Sequence, residues 1–101
     1  MKHKRLNMSD AALGEFCRRH HILRMALFGS VIRDDFRPES DIDVLVEFDP
    51  NCNLGFFEFA GISNEFSDLL GRHVDLSTAA QLSPYFRDEV LKEAETIYDA
   101  A

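Results

Sequence analysis

Alternation of apolar and polar residues is clearest between residues 41 and 48, where it predicts a β-strand. Successive side chains of a strand point to opposite faces of the sheet. The apolar positions therefore share one face and the mostly charged positions share the other: Ile42, Val44, Val46 and Phe48 against Asp41, Asp43, Leu45 and Glu47. A strand of this kind is buried on one side and leaves its carboxylates on the other.

Other periodic segments complete the prediction of secondary structure. Helical spacing of apolar residues predicts helices over about 11–20 and 54–70, the second ending before Gly71, and a last helix beginning at Ser83-Pro84. A short apolar run predicts a strand over 22–28, and alternation that sets Val74 and Leu76 on one face predicts another over 72–77. A short final strand is expected near 96–98. Between the first two strands, a short helix is expected over about 30–35 and a loop at 37–40, since Pro38 disfavours helix.

The order of these elements predicts an α+β fold with α/β layering. One mixed β-sheet of three to four strands would carry helices packed against it. The 101 residues suffice for one domain and not for two, so residues 1–101 are expected to form a single unit.

Composition and charge narrow the function classes. A net charge of −7 fits poorly with a protein whose main function is to bind nucleic acid. A small basic cluster does extend from Lys2 to Arg5. No apolar run approaches a membrane span, and the basic start has no apolar segment behind it. Cys17 and Cys52 lack zinc-ligand spacing and are read as reduced thiols. We therefore expect a soluble cytoplasmic protein.

The helix over 54–70 leaves two interpretations of its aromatic residues. Phe56, Phe59 and Phe66 follow one helical face together with Leu70, whereas Phe57 does not fit that stripe. All of these side chains could enter the core. Alternatively, Phe57 and part of the helix form an exposed apolar patch for a partner.

Candidate chemistry concentrates at the start of the alternating strand and at the turn before it. Asp41 and Asp43 project from the same strand face, so their carboxylates can converge on one or two cations. Gly29-Ser30, at a strand-to-helix turn, offers free amides and a hydroxyl of the kind that bind phosphate. Either feature alone is usually a turn or a solvated edge. An EF-hand and a Walker A loop are both excluded, because Leu45 occupies a ligand position and no lysine follows the glycine.

Together these features resemble the signature of the DNA polymerase beta-like nucleotidyltransferase superfamily. Phe28-Gly29-Ser30 with Arg33, followed by Ser40-Asp41-Ile42-Asp43, is similar to the first motif of its smallest members, the minimal nucleotidyltransferase (MNT) proteins. The segment Gly71-Arg72-His73-Val74-Asp75-Leu76 resembles the strand that carries their third carboxylate. The resemblance covers about residues 22 to 98 and implies a palm-like sheet.

The resemblance also implies a site. Asp41, Asp43 and Asp75 would bind two magnesium ions, with Asp75 helping to activate the acceptor hydroxyl, and Gly29 and Ser30 would hold the β- and γ-phosphates of ATP. Arg33 would either touch phosphate or pair with a carboxylate. Asp34 stands where MNT proteins commonly have glycine, which adds negative charge near the phosphates.

MNT proteins typically pair with HEPN-domain proteins, which are RNase toxins. The resemblance therefore implies an antitoxin that transfers AMP from ATP to a tyrosine hydroxyl of a HEPN toxin and forms a complex with it. A second hypothesis is a binding module that neutralises its partner by complex formation alone. A nucleotidyltransferase acting on small antibiotic-like molecules is less favoured, because 101 residues leave no space for a substrate domain.

Overall fold

A four-stranded mixed sheet lies at the centre of the protein. The structure is a computed structural model that describes residues 6, 8–32 and 41–100. Along the chain, the elements are α1 (Asp10–Arg19), β1 (Ile22–Phe28), a 3-10 helix (Gly29–Ile32), β2 (Ile42–Phe48), α2 (Phe56–Leu70), β3 (Val74–Ser77), a second 3-10 helix (Ala79–Gln81), α3 (Arg87–Glu93) and β4 (Glu95–Asp99). The predicted α+β class is confirmed, as is the expectation of three to four strands.

The strand order is β3-β2-β1-β4. β1 pairs antiparallel with both β2 and β4, whereas β2 and β3 run parallel. The parallel pair is joined through α2, which packs against β3. β2, which carries the predicted carboxylates, is therefore an inner strand with its backbone paired on both sides.

Apolar residues of β2 and two helices form the core on one face of the sheet, which we call the packed face. Ile42, Val44 and Val46 are buried there, as the alternation predicts. Phe16 of α1 stacks on Phe66 of α2 with ring centroids 4.7 Å apart, which joins the two helices over this face. Burial of these side chains provides most of the driving force for folding.

Two helix termini follow local sequence signals, the start of α1 and the end of α2. The Ser9 hydroxyl accepts a hydrogen bond from the amide of Ala12 and caps α1. Gly71 ends α2 with φ of 68°, a left-handed conformation that glycine adopts at low cost.

The predicted start of the last helix at Ser83-Pro84 is wrong. The Ser83 carbonyl accepts hydrogen bonds from the amides of Phe86 and Arg87, and its hydroxyl accepts one from Tyr85, so these residues form a turn. The regular helix begins only at Arg87. The apolar residues at and after the start of this helix also pack less completely than expected, since Phe86, just before it, and Leu91 remain about half exposed.

The aromatic stripe of α2 is only partly buried. Phe66 is completely buried and Phe59 packs at the edge of the core, but Phe56 is 80% and Phe57 is 85% exposed. The prediction that Phe56 shares the buried face is wrong, because the first turn of α2 extends past the core. The interpretation in which all these rings enter the core is therefore excluded.

The predicted short helix is seen only as the 3-10 helix Gly29–Ile32, while the rest of that helix and the loop at 37–40 lie outside the described residues. No helix within the described ranges is long and apolar enough to cross a membrane.

Candidate active site

Pairing of β2 with β3 brings two of the predicted carboxylates side by side. Asp43 lies directly opposite Asp75 in the parallel register, and both belong to the sheet face away from the core, which we call the open face. Neighbouring strands are about 4.7–4.9 Å apart, so these side chains share one small area. Residues 32 positions apart in the sequence are thus joined by sheet topology.

Asp41 immediately precedes β2 and is two positions before Asp43 in the sequence. The amide of Ile42 donates a 3.0 Å hydrogen bond to the carbonyl of His73, which fixes the entry of β2 beside β3. Asp41 and Asp75 are exposed and Asp43 is half-buried, so the open face presents its carboxylates to solvent.

The turn after β1 packs directly against Asp43. Phe28 pairs with Asp43 in the antiparallel register, and Gly29 follows with φ of 75°. A Cβ atom at Gly29 would collide with the carboxylate of Asp43. Only glycine satisfies both the left-handed backbone and this close approach.

The 3-10 helix continues this turn, so Ser30 directly follows the glycine that packs against Asp43. Ser30 is half-buried, and Val31 anchors the helix in the core. The structure thus brings Gly29, Ser30, Asp41, Asp43 and Asp75 to one end of the open face. Arg33 and Asp34 lie outside the described residues, so their predicted roles remain predictions.

The donor set fits a hard cation by chemical type. Carboxylate oxygens are the ligands that magnesium prefers, and it commonly takes its remaining ligands from water and substrate phosphates. As the side chains stand, no group of three or more His, Cys, Asp or Glu residues in the described part of the chain forms a ready metal cage. The carboxylates of Asp43 and Asp75, opposite each other in register, are oxygen donors of the type that magnesium prefers.

Two titratable residues outside this area, Cys17 and Glu65, have structural roles. Burial raises the pKa of the Cys17 thiol to about 12, so this residue remains protonated and is a poor nucleophile. Glu65 of α2 contacts His20 at 3.2 Å and Arg19 at 2.6 Å, and the hydrogen bond from His20 is the main cause of its lowered pKa. These contacts join α1 to α2 and do not involve the open face.

Sequence reasoning missed one feature of the open face. A cavity of about 430 Å³ lies over the middle of the sheet, between its strands and the segments around the second 3-10 helix and α3. Its residues have no motif. The only local signal was the run Ser77-Thr78-Ala79-Ala80, whose small side chains leave space beside the sheet.

Comparison with known proteins identifies the family. The model of the nucleotidyltransferase domain matches residues 10–97. The chain belongs to this family. A candidate protein adenylyltransferase from Methanocaldococcus jannaschii is 34% identical over 76 residues, covering 75% of this chain and 80% of the relative. The protein adenylyltransferase MntA of Thermococcus cleftensis is 30% identical over 79 residues, covering 78% of each.

Solved structures share the same fold. A structure described as a candidate minimal nucleotidyltransferase has 35% identity and a TM-score of 0.68, covering 84% of this chain and 85% of the other. A toxin–antitoxin complex with AMP-PNP contains a chain with 18% identity and a TM-score of 0.73, covering 91% and 74%. A tri-AMPylated Shewanella oneidensis HEPN toxin in complex with its MNT antitoxin gives 17% identity and a TM-score of 0.63, covering 89% and 69%. The predicted assignment to the nucleotidyltransferases is confirmed, and the chain is a transferase of this class.

Proposed function

We propose that this nucleotidyltransferase transfers AMP from ATP to a tyrosine hydroxyl of a HEPN-type RNase toxin and thereby acts as its antitoxin. The observation that carries the proposal is the register that sets Asp43 beside Asp75, with Gly29 packed against the Asp43 carboxylate. The relatives named protein adenylyltransferase and the AMPylated HEPN toxin bound to an MNT antitoxin support the choice of acceptor.

The proposed chemistry is a substitution at the α-phosphorus of ATP. A bond forms between the acceptor oxygen and this phosphorus, the bond from phosphorus to the bridging oxygen breaks, and pyrophosphate leaves with that electron pair. Asp75 accepts the hydroxyl proton or directs it to water. The amides and hydroxyl at Gly29 and Ser30 would bind the departing phosphates.

Asp41, Asp43 and Asp75 would hold magnesium. When bound, the metal would neutralise phosphate charge and stabilise the entering and leaving oxygens. Two magnesium ions are proposed from the resemblance. Asp43 and Asp75 lie opposite each other on neighbouring strands, so a cation between them would reduce the repulsion between their charges.

A protein acceptor also fits the surface of the chain. Phe56 and Phe57 are exposed side by side with ring centroids 5.8 Å apart, and Tyr85 is almost fully exposed. Exposed aromatic rings of this kind are enriched at protein interfaces. This observation equally favours the second hypothesis, in which the chain neutralises a toxin by binding alone.

One experiment separates the two hypotheses. The chain is co-expressed with a HEPN-type partner, and the intact mass and peptide masses of the partner are measured. With the wild-type chain, we expect the mass of a partner tyrosine to increase by one AMP group. With Asp41→Asn, we expect no mass increase and no protection of the cells from the toxin. If Asp41→Asn still protects cells and the partner is never modified, binding alone is the function.

A further inference from the structure

An apolar groove lies at the end of β2 that is farthest from the carboxylates. Phe48 of β2, Leu76 of β3 and Phe59 of α2 line it, together with the largely exposed Phe56. Its volume is about 440 Å³. Phe48 follows Asp43 by five positions, which is roughly 16 Å along an extended strand. The groove is therefore a separate feature from the candidate active site.

The first turn of α2 holds two aromatic rings in solvent beside this groove. Phe56 and Phe57 contact each other edge to face, with their planes 77° apart, and neither is part of the core. The amide of Phe59 donates a 3.1 Å hydrogen bond to the carbonyl of Gly55, and the Phe59 ring packs against Phe48. The turn that carries the exposed rings is thus fixed to the sheet in the free protein, so binding would lose little conformational entropy there.

The stretch of chain that carries these rings has charges of one sign only. Residues 41–71 contain no lysine, arginine or histidine, while Asp49 precedes the ring pair and Glu58 follows it directly. The residues that line the groove are uncharged. A partner that buries the rings meets nearby carboxylates, which favours apolar side chains with lysine or arginine beside them. A second copy of this chain would bring like charges together, since each copy has a net charge of −7.

We propose that Phe56, Phe57 and this groove form a docking surface for a basic, apolar segment of the protein that supplies the acceptor hydroxyl, an inference that rests on the proposed function. A protein that cleaves RNA fits this description, because binding to a polyanion requires lysine and arginine on its surface. Docking at a distance from the carboxylates leaves the open face free for the nucleotide and the acceptor side chain. The docking surface would then raise the local concentration of the acceptor without taking part in the chemistry.

The test measures binding of the chain to the HEPN-type partner by calorimetry without ATP, and the KM and kcat of AMP transfer to that partner. Phe56→Ser and Phe57→Ser each remove one exposed ring. Both should raise the Kd and the KM for the partner roughly 10- to 100-fold, with kcat at saturation and the binding of ATP with magnesium unchanged. Leu69→Ser is the matched control, because Leu69 is an exposed apolar residue of α2 outside the groove.

The basic character of the partner segment is tested separately. Glu58→Gln should weaken partner binding by about 2- to 5-fold, and added salt should weaken binding of the wild type. Glu15→Gln removes the same charge from an exposed position on α1 and should leave binding unchanged. Affinity that stays constant or rises with Glu58→Gln and with added salt would exclude a basic segment.

Other results would overturn the inference and separate it from the proposed function. If both ring variants bind the partner as the wild type does while AMP transfer continues, docking occurs elsewhere and the proposed function stands. An equal loss for Leu69→Ser would indicate a general effect rather than a docking surface. If the wild type sediments as a dimer and Phe57→Ser as a monomer, a second copy of this chain occupies the surface. If the wild type neither binds nor modifies the partner, the proposed function fails together with this inference.

Discussion

The packed face and the open face of the sheet use the same strands for different purposes. On β2, Val44 is completely buried against the helices, whereas Asp43, one residue earlier, lies beside Asp75 on the other face. The packed face is covered by α1 and α2. The open face carries a group of carboxylates at one end and a cavity in the middle. Consecutive residues of β2 therefore belong to different faces, one that stabilises the fold and one that carries the candidate active site.

This separation predicts that substitutions on the two faces have different consequences. Changes on the packed face should lower the free energy of unfolding and leave the activity of the folded fraction intact. Changes at the carboxylates should remove activity and leave folding nearly intact.

Phe66→Ala should destabilise the protein by about 3–5 kcal/mol. Phe66 is fully buried and stacks on Phe16, so its removal leaves a cavity between α1 and α2. Urea denaturation followed by circular dichroism measures the change. Leu69→Ala on the same helix is the control, because Leu69 is about half exposed and should cost much less. Equal losses for the two variants would contradict the assignment of the packed face.

Asp43→Asn should reduce AMP transfer about 100-fold or more, as expected when a group that stabilises the transition state is removed. The melting temperature should remain near that of the wild type, since the substitution preserves shape. Asp68→Asn removes the same charge from an exposed position on α2 and should leave the rate unchanged. A rate loss shared by both variants would indicate a general charge effect rather than a site.

Gly29→Ala should cost about 1–2 kcal/mol in stability, because φ at this position is 75°. It should also impair nucleotide binding, since the new Cβ would displace the Asp43 carboxylate. Gly61→Ala is the opposite case: no neighbouring atom lies within 4 Å of its added Cβ, so the helix should gain about 0.5–1 kcal/mol. Thermal unfolding and ATP titration measure both effects. A neutral Gly29→Ala would remove the argument for close packing at the turn.

Several of these features could be predicted from the sequence because their signals are local. The alternation of β2 gave its ends to within one residue, and Gly71 marked the end of α2. The turn at Gly29-Ser30 was recognisable, but its contact with Asp43 depends on the antiparallel pairing of β1 and β2. Asp75 joins the site only through the parallel register with β2, which no pattern within β3 encodes.

The errors of sequence reasoning arise because tertiary contacts are not encoded in local sequence patterns. Ser83-Pro84 has the composition of a helix start, yet its hydrogen bonds close a turn before α3 begins. Phe56 has the correct helical spacing, but spacing alone does not tell where the core ends. The cavity over the open face is formed by separate elements brought together by the fold, and none of them carries a recognisable motif.

Glu65→Gln should have the smallest effect, below about 1 kcal/mol, because the ion pairs of Glu65 are partly exposed to solvent. The lowered pKa of Glu65 in the folded protein means that its ionised form contributes stability above the usual pKa of 4.5. That contribution is lost as pH falls through the lower folded-state pKa. The stability difference between variant and wild type should therefore disappear in acid, as measured by urea denaturation at several pH values. A difference that grows below pH 4 would contradict the predicted sign.

The most direct test of the role of the open face is the melting temperature measured with magnesium and ATP together. Ligand binding to the folded state raises the melting temperature, and the rise grows with the logarithm of the ligand concentration relative to its Kd. We predict a rise for the wild type at millimolar levels of both, little rise with either alone, and no rise for Asp43→Asn. An equal rise in the wild type and Asp43→Asn, or none in either, would contradict the assignment of the carboxylates as a nucleotide and magnesium site.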